Sequence, residues 1–148
     1  MKIVSIFKGM FVGFIAAFAV PILMLLGIGM IYGGNYNLTD HPWKYIACLI
    51  AMIPIAGFLG YYLSNQQTLS QKDRWQIAAI AVLLITMIAN SIGLIIGFKL
   101  TLDSFEIVNI WPLLLYALMR GIIFLPLSIP FGKLVLDILY HWVHNIPF

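Results

Sequence analysis

The chain has 148 residues, 63% of them apolar and 9% charged, with a mean hydropathy of +1.04. Soluble domains carry roughly 45–50% apolar and about 25% charged residues, and one of this size has too little interior to hide the excess, so lipid must be the solvent for most of the chain. The net charge of +3 forms no basic cluster, which excludes nucleic acid as a partner, and the single Cys48 has no mate for an internal disulfide.

Four runs with little or no charge follow one another: Met10–Tyr32, Tyr45–Leu63, Ile77–Phe98 and Trp111–Gly132. Each is close to the ~20 residues that cross ~30 Å of hydrocarbon at about 1.5 Å per residue. Backbone exposed to lipid must close its own hydrogen bonds, so each run predicts a helix.

The first run has no charge at all. Lys2 and Lys8 ahead of it, and Ala17-Phe18-Ala19 within it, imitate a secretory leader. The apolar stretch continues through Pro21 to Tyr32, too long for a leader core and long enough to span. Ser5, Gly9, Gly13 and Ala17 recur one helical turn apart. Lipid gives helices no hydrophobic reason to associate, so such small-residue stripes are where backbones can approach. Gly29 and Gly33 repeat the spacing at the far end. Because no acid lies inside this span, or centrally in any other, the sequence argues against proton-coupled transport.

The turn Gly33–Pro42 carries Asn37-Leu38-Thr39, which matches a glycosylation sequon by coincidence in a loop too short to leave the membrane surface. The second run contains Pro54 and the small residues Ala56, Gly60 and Ser64. After the turn Ser64–Arg74, the third run holds Asn90 and Ser91, with Ala89, Gly93 and Gly97 in its outer half. Matching the stripes by depth predicts that span one meets span two at the inner end and span three at the outer end.

The fourth run follows the turn Lys99–Asn109 and contains Arg120, about ten residues in. A central arginine costs at least ~2.5–3.5 kcal/mol on insertion scales, so it is expected to face protein or water. The nearest polar groups by depth are Asn90 and Ser91, together with the carbonyls freed by Pro54. These three side chains form the predicted intramembrane polar site, for an anion, a lipid headgroup or a partner protein.

Beyond Gly132 the pattern changes. Lys133, Asp137, His141 and His144 make a narrow polar stripe on an otherwise apolar segment. This predicts an amphipathic helix over about 133–145, bent away from span four at Pro126 and Pro130. It lies in the interface or packs beside the bundle with its stripe inward. Asp137, His141 and His144 share a spacing that a metal could use, but the same spacing makes the polar side of an interfacial helix, and no metal or cofactor is assigned.

Short turns make neighbouring helices antiparallel. The predicted fold is an all-α integral membrane protein, one polytopic domain of four transmembrane helices in an antiparallel bundle plus the C-terminal amphipathic helix. Trp43, Trp75 and Trp111 mark span starts at headgroup level. Lys2, Lys8, Lys72, Arg74 and Lys133 gather on one side against Lys44 and Lys99 on the other, which puts both termini in the cytoplasm.

In size, span count and loop economy the chain resembles small polytopic inner-membrane proteins of bacteria. That group includes immunity proteins against pore-forming toxins and accessory subunits of larger complexes. The resemblance rests on no motif and carries over no residues. It implies the cytoplasmic membrane of a bacterium, with membrane lipid and another membrane protein or a second copy as partners. A small oligomeric transporter or channel for a solute or anion is the alternative. Convergent catalytic groups, needed for an intramembrane enzyme, are missing from the sequence.

Overall fold

A computed structural model describes residues 2–32, 42–66, 68–101 and 110–145. They form α1 (Lys2–Tyr32), α2 (Pro42–Ser64), α3 (Gln71–Thr101) and α4 (Ile110–Asn145), with no strand among the described residues. Stretches of three helices, Lys2–Leu23, Tyr45–Ser64 and Gln71–Gly93, are long and apolar enough to cross a membrane. Phe7, Phe58, Ile80 and Ile123 are exposed along them and along α4, as lipid-facing side chains are. This is a multi-pass, membrane-like helical protein.

Local chemistry sets the helix ends. α2 begins at Pro42, whose fixed φ and missing N–H suit a first helical position. Its C-terminal carbonyls are capped from beyond: Ser64 Oγ donates to the Tyr61 carbonyl at 2.7 Å, and the Gln66 N–H to that of Leu63 at 3.1 Å. Ser70 then caps α3 reciprocally with Asp73. The Asp73 N–H donates to Ser70 Oγ at 3.2 Å, while the Ser70 hydroxyl and N–H donate to the Asp73 carboxylate at 2.7 and 3.3 Å. Together these contacts fix the α2–α3 turn.

α1 packs on α2, α2 on α3 and α3 on α4, and α4 also touches α1 and α2. Across α1–α2, Ser5 meets Gly60, Gly9 meets Ala56 and Gly13 meets Met52, so numbers rise along one helix as they fall along the other. Across α3–α4, Gly132 lies on Val82 and Gly121 on Thr86 and Asn90, again in opposite order. The innermost side chains are Leu63, Ala78, Leu136 and Leu139, ringed by Leu59, Tyr62, Ile77, Tyr140 and Val143. The core therefore sits where the α2–α3 turn meets the C-terminal end of α4.

One expectation is corrected. Residues 133–145 are not a separate amphipathic helix; α4 runs unbroken for 36 residues through Pro126 and Pro130. Leu136 and Leu139 supply the reason. They are buried against Leu63 and Ala78, and this packing carries the helix past prolines that would otherwise end it. The pairing predicted between α1 and α3 at the outer end falls mostly on Gly29, Gly33 and Gly97, whose surroundings lie outside the described residues. Among the described residues α1 and α3 make no contact, and Gly93 lies against Trp43 and Ala47 of α2. A Cβ at Gly93 would come within 3.2 Å of the Trp43 ring.

Candidate functional site

The small-residue positions on α1 and α2 close one seam. Ser5, Gly9, Gly13 and Ala17 are buried, as are Ala56 and Gly60, while Ser64 is half-buried. A side chain at Gly9 would collide with the Ala56 carbonyl, and one at Gly60 with the Ser5 carbonyl. Backbone thus lies on backbone. On α3, Gly93 is buried and Ala89 half-buried. Gly29 and Gly97 lie in α1 and α3 with surroundings outside the described residues, and Gly33 lies outside them altogether. Gly121 and Gly132 are contact glycines that the stripes read from the sequence leave out, although Ala117 and Gly121, and Ser128 and Gly132, stand at the same four-residue spacing.

Among the described residues, the polar chemistry concentrates at the end that holds Lys2, the α2–α3 turn and the end of α4. Lys8 is 5% exposed, and its Nζ donates to the Trp142 carbonyl at 3.0 Å. The same ammonium lies 5.8 Å from the Trp142 ring centre, and Phe11 meets that ring edge-on. These contacts tie α1 to α4. Asp137 accepts an ion pair from Lys133 one turn earlier and another from Arg74 Nη1 at 3.5 Å, which ties α3 to α4. The Arg74 guanidinium also covers the Tyr140 ring at 4.3 Å, and its Nη2 donates to the Leu69 carbonyl at 3.3 Å. Arg74 Nε and Asp137 Oδ1 are buried without a hydrogen bond, so charge rather than directed bonding holds that pair. His144 completes the collar, with Nε2 2.9 Å from the Gln66 carbonyl in the α2–α3 turn.

Lys8, Lys133 and Arg74 enter the sequence reading as orientation charges, and Lys133 also as part of the polar stripe. The structure gives them partners. Asp137 is the signal that could have found the cluster, since it is the one acid beyond span four.

Two open grooves flank the collar. One, of about 860 Å³, runs along the end of α4 past Arg74, Ile138, Tyr140, His141 and Trp142. The other, of about 630 Å³, lies where α1 faces Trp142 of α4. Asp137, His141 and His144 do not converge on one point, and no group of three metal-ligating side chains exists among the described residues.

Arg120 lies in α4 with its side chain outside the described residues. Its neighbour Gly121 sits against Thr86 and Asn90 of α3. Asn90 Nδ2 donates to the Thr86 carbonyl at 2.9 Å, and Ser91 beside it is half-buried. Position 120 is thus one residue from the α3–α4 contact that contains Asn90. Compared with known protein families, curated proteins and solved structures, the chain matches none.

Proposed function

We propose that this chain is a small interaction protein of the bacterial inner membrane. It binds a larger membrane protein, as an accessory or assembly subunit or as an immunity protein against a membrane-active toxin. In this reading the four helices cross as an antiparallel bundle with both termini cytoplasmic. The carrying observation is the groove at the end of α4, which exposes Ile138 and His141 beside Arg74, Tyr140 and Trp142. Tyrosine, tryptophan and arginine dominate binding energy at protein interfaces. Lys2, Lys8, Lys72, Arg74 and Lys133 outnumber Asp73 and Asp137 at this end, so the surface suits an acidic segment of the partner near the membrane. Arg120, with Asn90 and Ser91, adds an intramembrane contact for a carboxylate or other oxyanion.

Affinity purification of a tagged chain in mild detergent, read by mass spectrometry, tests the reading. The expected result is a stoichiometric larger membrane protein, lost with Ile138→Glu. Arg120→Leu and Arg120→Lys should both accumulate in the membrane and both weaken capture, because lysine keeps the charge but loses the planar fork. Recovery of the chain only as a self-associated species overturns the reading in favour of a small transporter. Undiminished capture by Arg120→Leu removes that residue from the site.

A further inference from the structure

One helix face remains outside that reading. The groove at the α1–α4 seam is walled by Val4, Phe7, Phe11 and Phe14 of α1 and by Trp142, and Lys8 is its one charged lining residue among those described. Every other wall is apolar, so water gains nothing there and hydrocarbon fits. From Val4 to Phe14 the groove extends about 15 Å at 1.5 Å per residue, half of a ~30 Å hydrocarbon core and hence one leaflet deep.

Lys8 lies one helical turn in from Val4, in the half of the groove nearer the N-terminus. Helical side chains lean toward the N-terminus, so the Lys8 ammonium reaches back toward the Val4 end. Lys8 stays anchored on the Trp142 carbonyl and ring, and Trp142 is the residue type that marks the headgroup level. The charge is held under an apolar wall, where it acts on an anion through a lower dielectric than water. The Lys and Arg excess puts this end on the cytoplasmic side, where the leaflet carries anionic lipid.

We infer that this groove is a binding site for one anionic phospholipid of the cytoplasmic leaflet. An acyl chain lies along Phe11 and Phe14, and the phosphate lies beside Lys8 and Trp142. The inference rests on the membrane location and not on the partner proposed above.

Native mass spectrometry of the purified full chain, titrated with phosphatidylglycerol or phosphatidylcholine of matched chains, tests it. The wild type should bind one phosphatidylglycerol about tenfold more tightly than phosphatidylcholine, in the range of one hydrogen bond to a charged group. Lys8→Met should bring the two lipids to similar affinity, and Lys72→Gln, an exposed cation of the same end, should leave the preference intact. Equal binding of both lipids by the wild type overturns the site, and does so without any variant. So does a preference that falls equally in Lys72→Gln, which would make it a general surface-charge effect. Loss of partner capture with lipid selectivity retained would reject the interaction reading alone.

Discussion

The two faces of α1 solve opposite problems with side chains of opposite size. One carries Ser5, Gly9 and Gly13 and lets α2 approach until carbonyls of one helix would meet a Cβ of the other. The other carries Phe7, Phe11, Phe14 and Phe18, all exposed, and keeps α4 at the reach of a lysine and a tryptophan. In lipid, apolar character does not choose which face packs. Side-chain size does: small residues close a seam, and large ones hold it open and present it to lipid or to a ligand.

Substitution at the closed seam should have the largest effect. Gly9→Leu must push α2 away at the Ala56 carbonyl, which is backbone and cannot swing aside. Overpacking a core costs about 1–3 kcal/mol, and a clash with rigid backbone belongs at or above the top of that range. The expected outcome is aggregation at a much lower temperature in detergent. Phe7→Leu, on the open face of the same helix, should leave the melting curve nearly unchanged. Equal losses would break the distinction between the two faces.

A second pair of substitutions sharpens it. Gly13→Leu meets the Met52 carbonyl and the Ala56 methyl, whereas Gly121→Leu meets the Thr86 methyl and the Asn90 amide. Side-chain ends can rotate and backbone cannot. Gly13→Leu should therefore destabilise more, by about 1 kcal/mol on the scale of overpacking costs. Matching thermal aggregation of the two variants would show that α4 yields no more easily than α2.

At the polar end, Asp137→Asn removes the charge shared by Arg74 and Lys133. All three side chains are partly exposed, so solvent screens the pairs and the expected cost is about 1 kcal/mol or less. The same substitution leaves two cations facing each other, which salt should relieve. A melting temperature that rises with added salt in the variant more than in the wild type is the signature. Salt responses that coincide would mean the collar is held by packing on Tyr140 instead.

Much of this architecture is written in the sequence, and the reason is solvent. A lipid-exposed backbone has one open solution, so helix number and rough position follow from where charges stop. The stripe at Ser5, Gly9 and Gly13 is likewise legible, because a four-residue spacing of small residues has few other uses. What lies hidden depends on tertiary contact. Leu136 and Leu139 look no different from lipid-facing leucines until Leu63 and Ala78 are found opposite them, and only then does α4 continue through Pro126 and Pro130. Gly93 has helical spacing suited to α1 but faces Trp43, a residue whose pairing no spacing rule predicts. Asp137 reads as one polar residue in a stripe until Arg74 arrives from another helix.

Lys8 should show the smallest stability effect of all, and the argument runs against intuition. A nearly buried lysine bonded to a carbonyl of another helix looks indispensable. Yet burying an ammonium forfeits several kcal/mol of hydration, and contacts such as the Trp142 carbonyl and ring return only part of it. Methionine has nearly the same length and shape, fills the space between Phe11 and Trp142, and leaves no charge to desolvate. The Trp142 carbonyl that loses its donor belongs to the last turn of α4, where carbonyls can turn to water. Lys8→Met should therefore melt within about 1 kcal/mol of the wild type, as replacements of buried charges by apolar residues often do. Lys8→Ala should melt lower, since it removes the packing as well as the charge. A large loss in Lys8→Met would show that the ammonium itself holds the α1–α4 seam. That result would make the open face of α1 as tightly specified as the closed one. A wild-type melt with Lys8→Met, together with a loss in Lys8→Ala, would assign the contact to the stem of the side chain rather than to its charge.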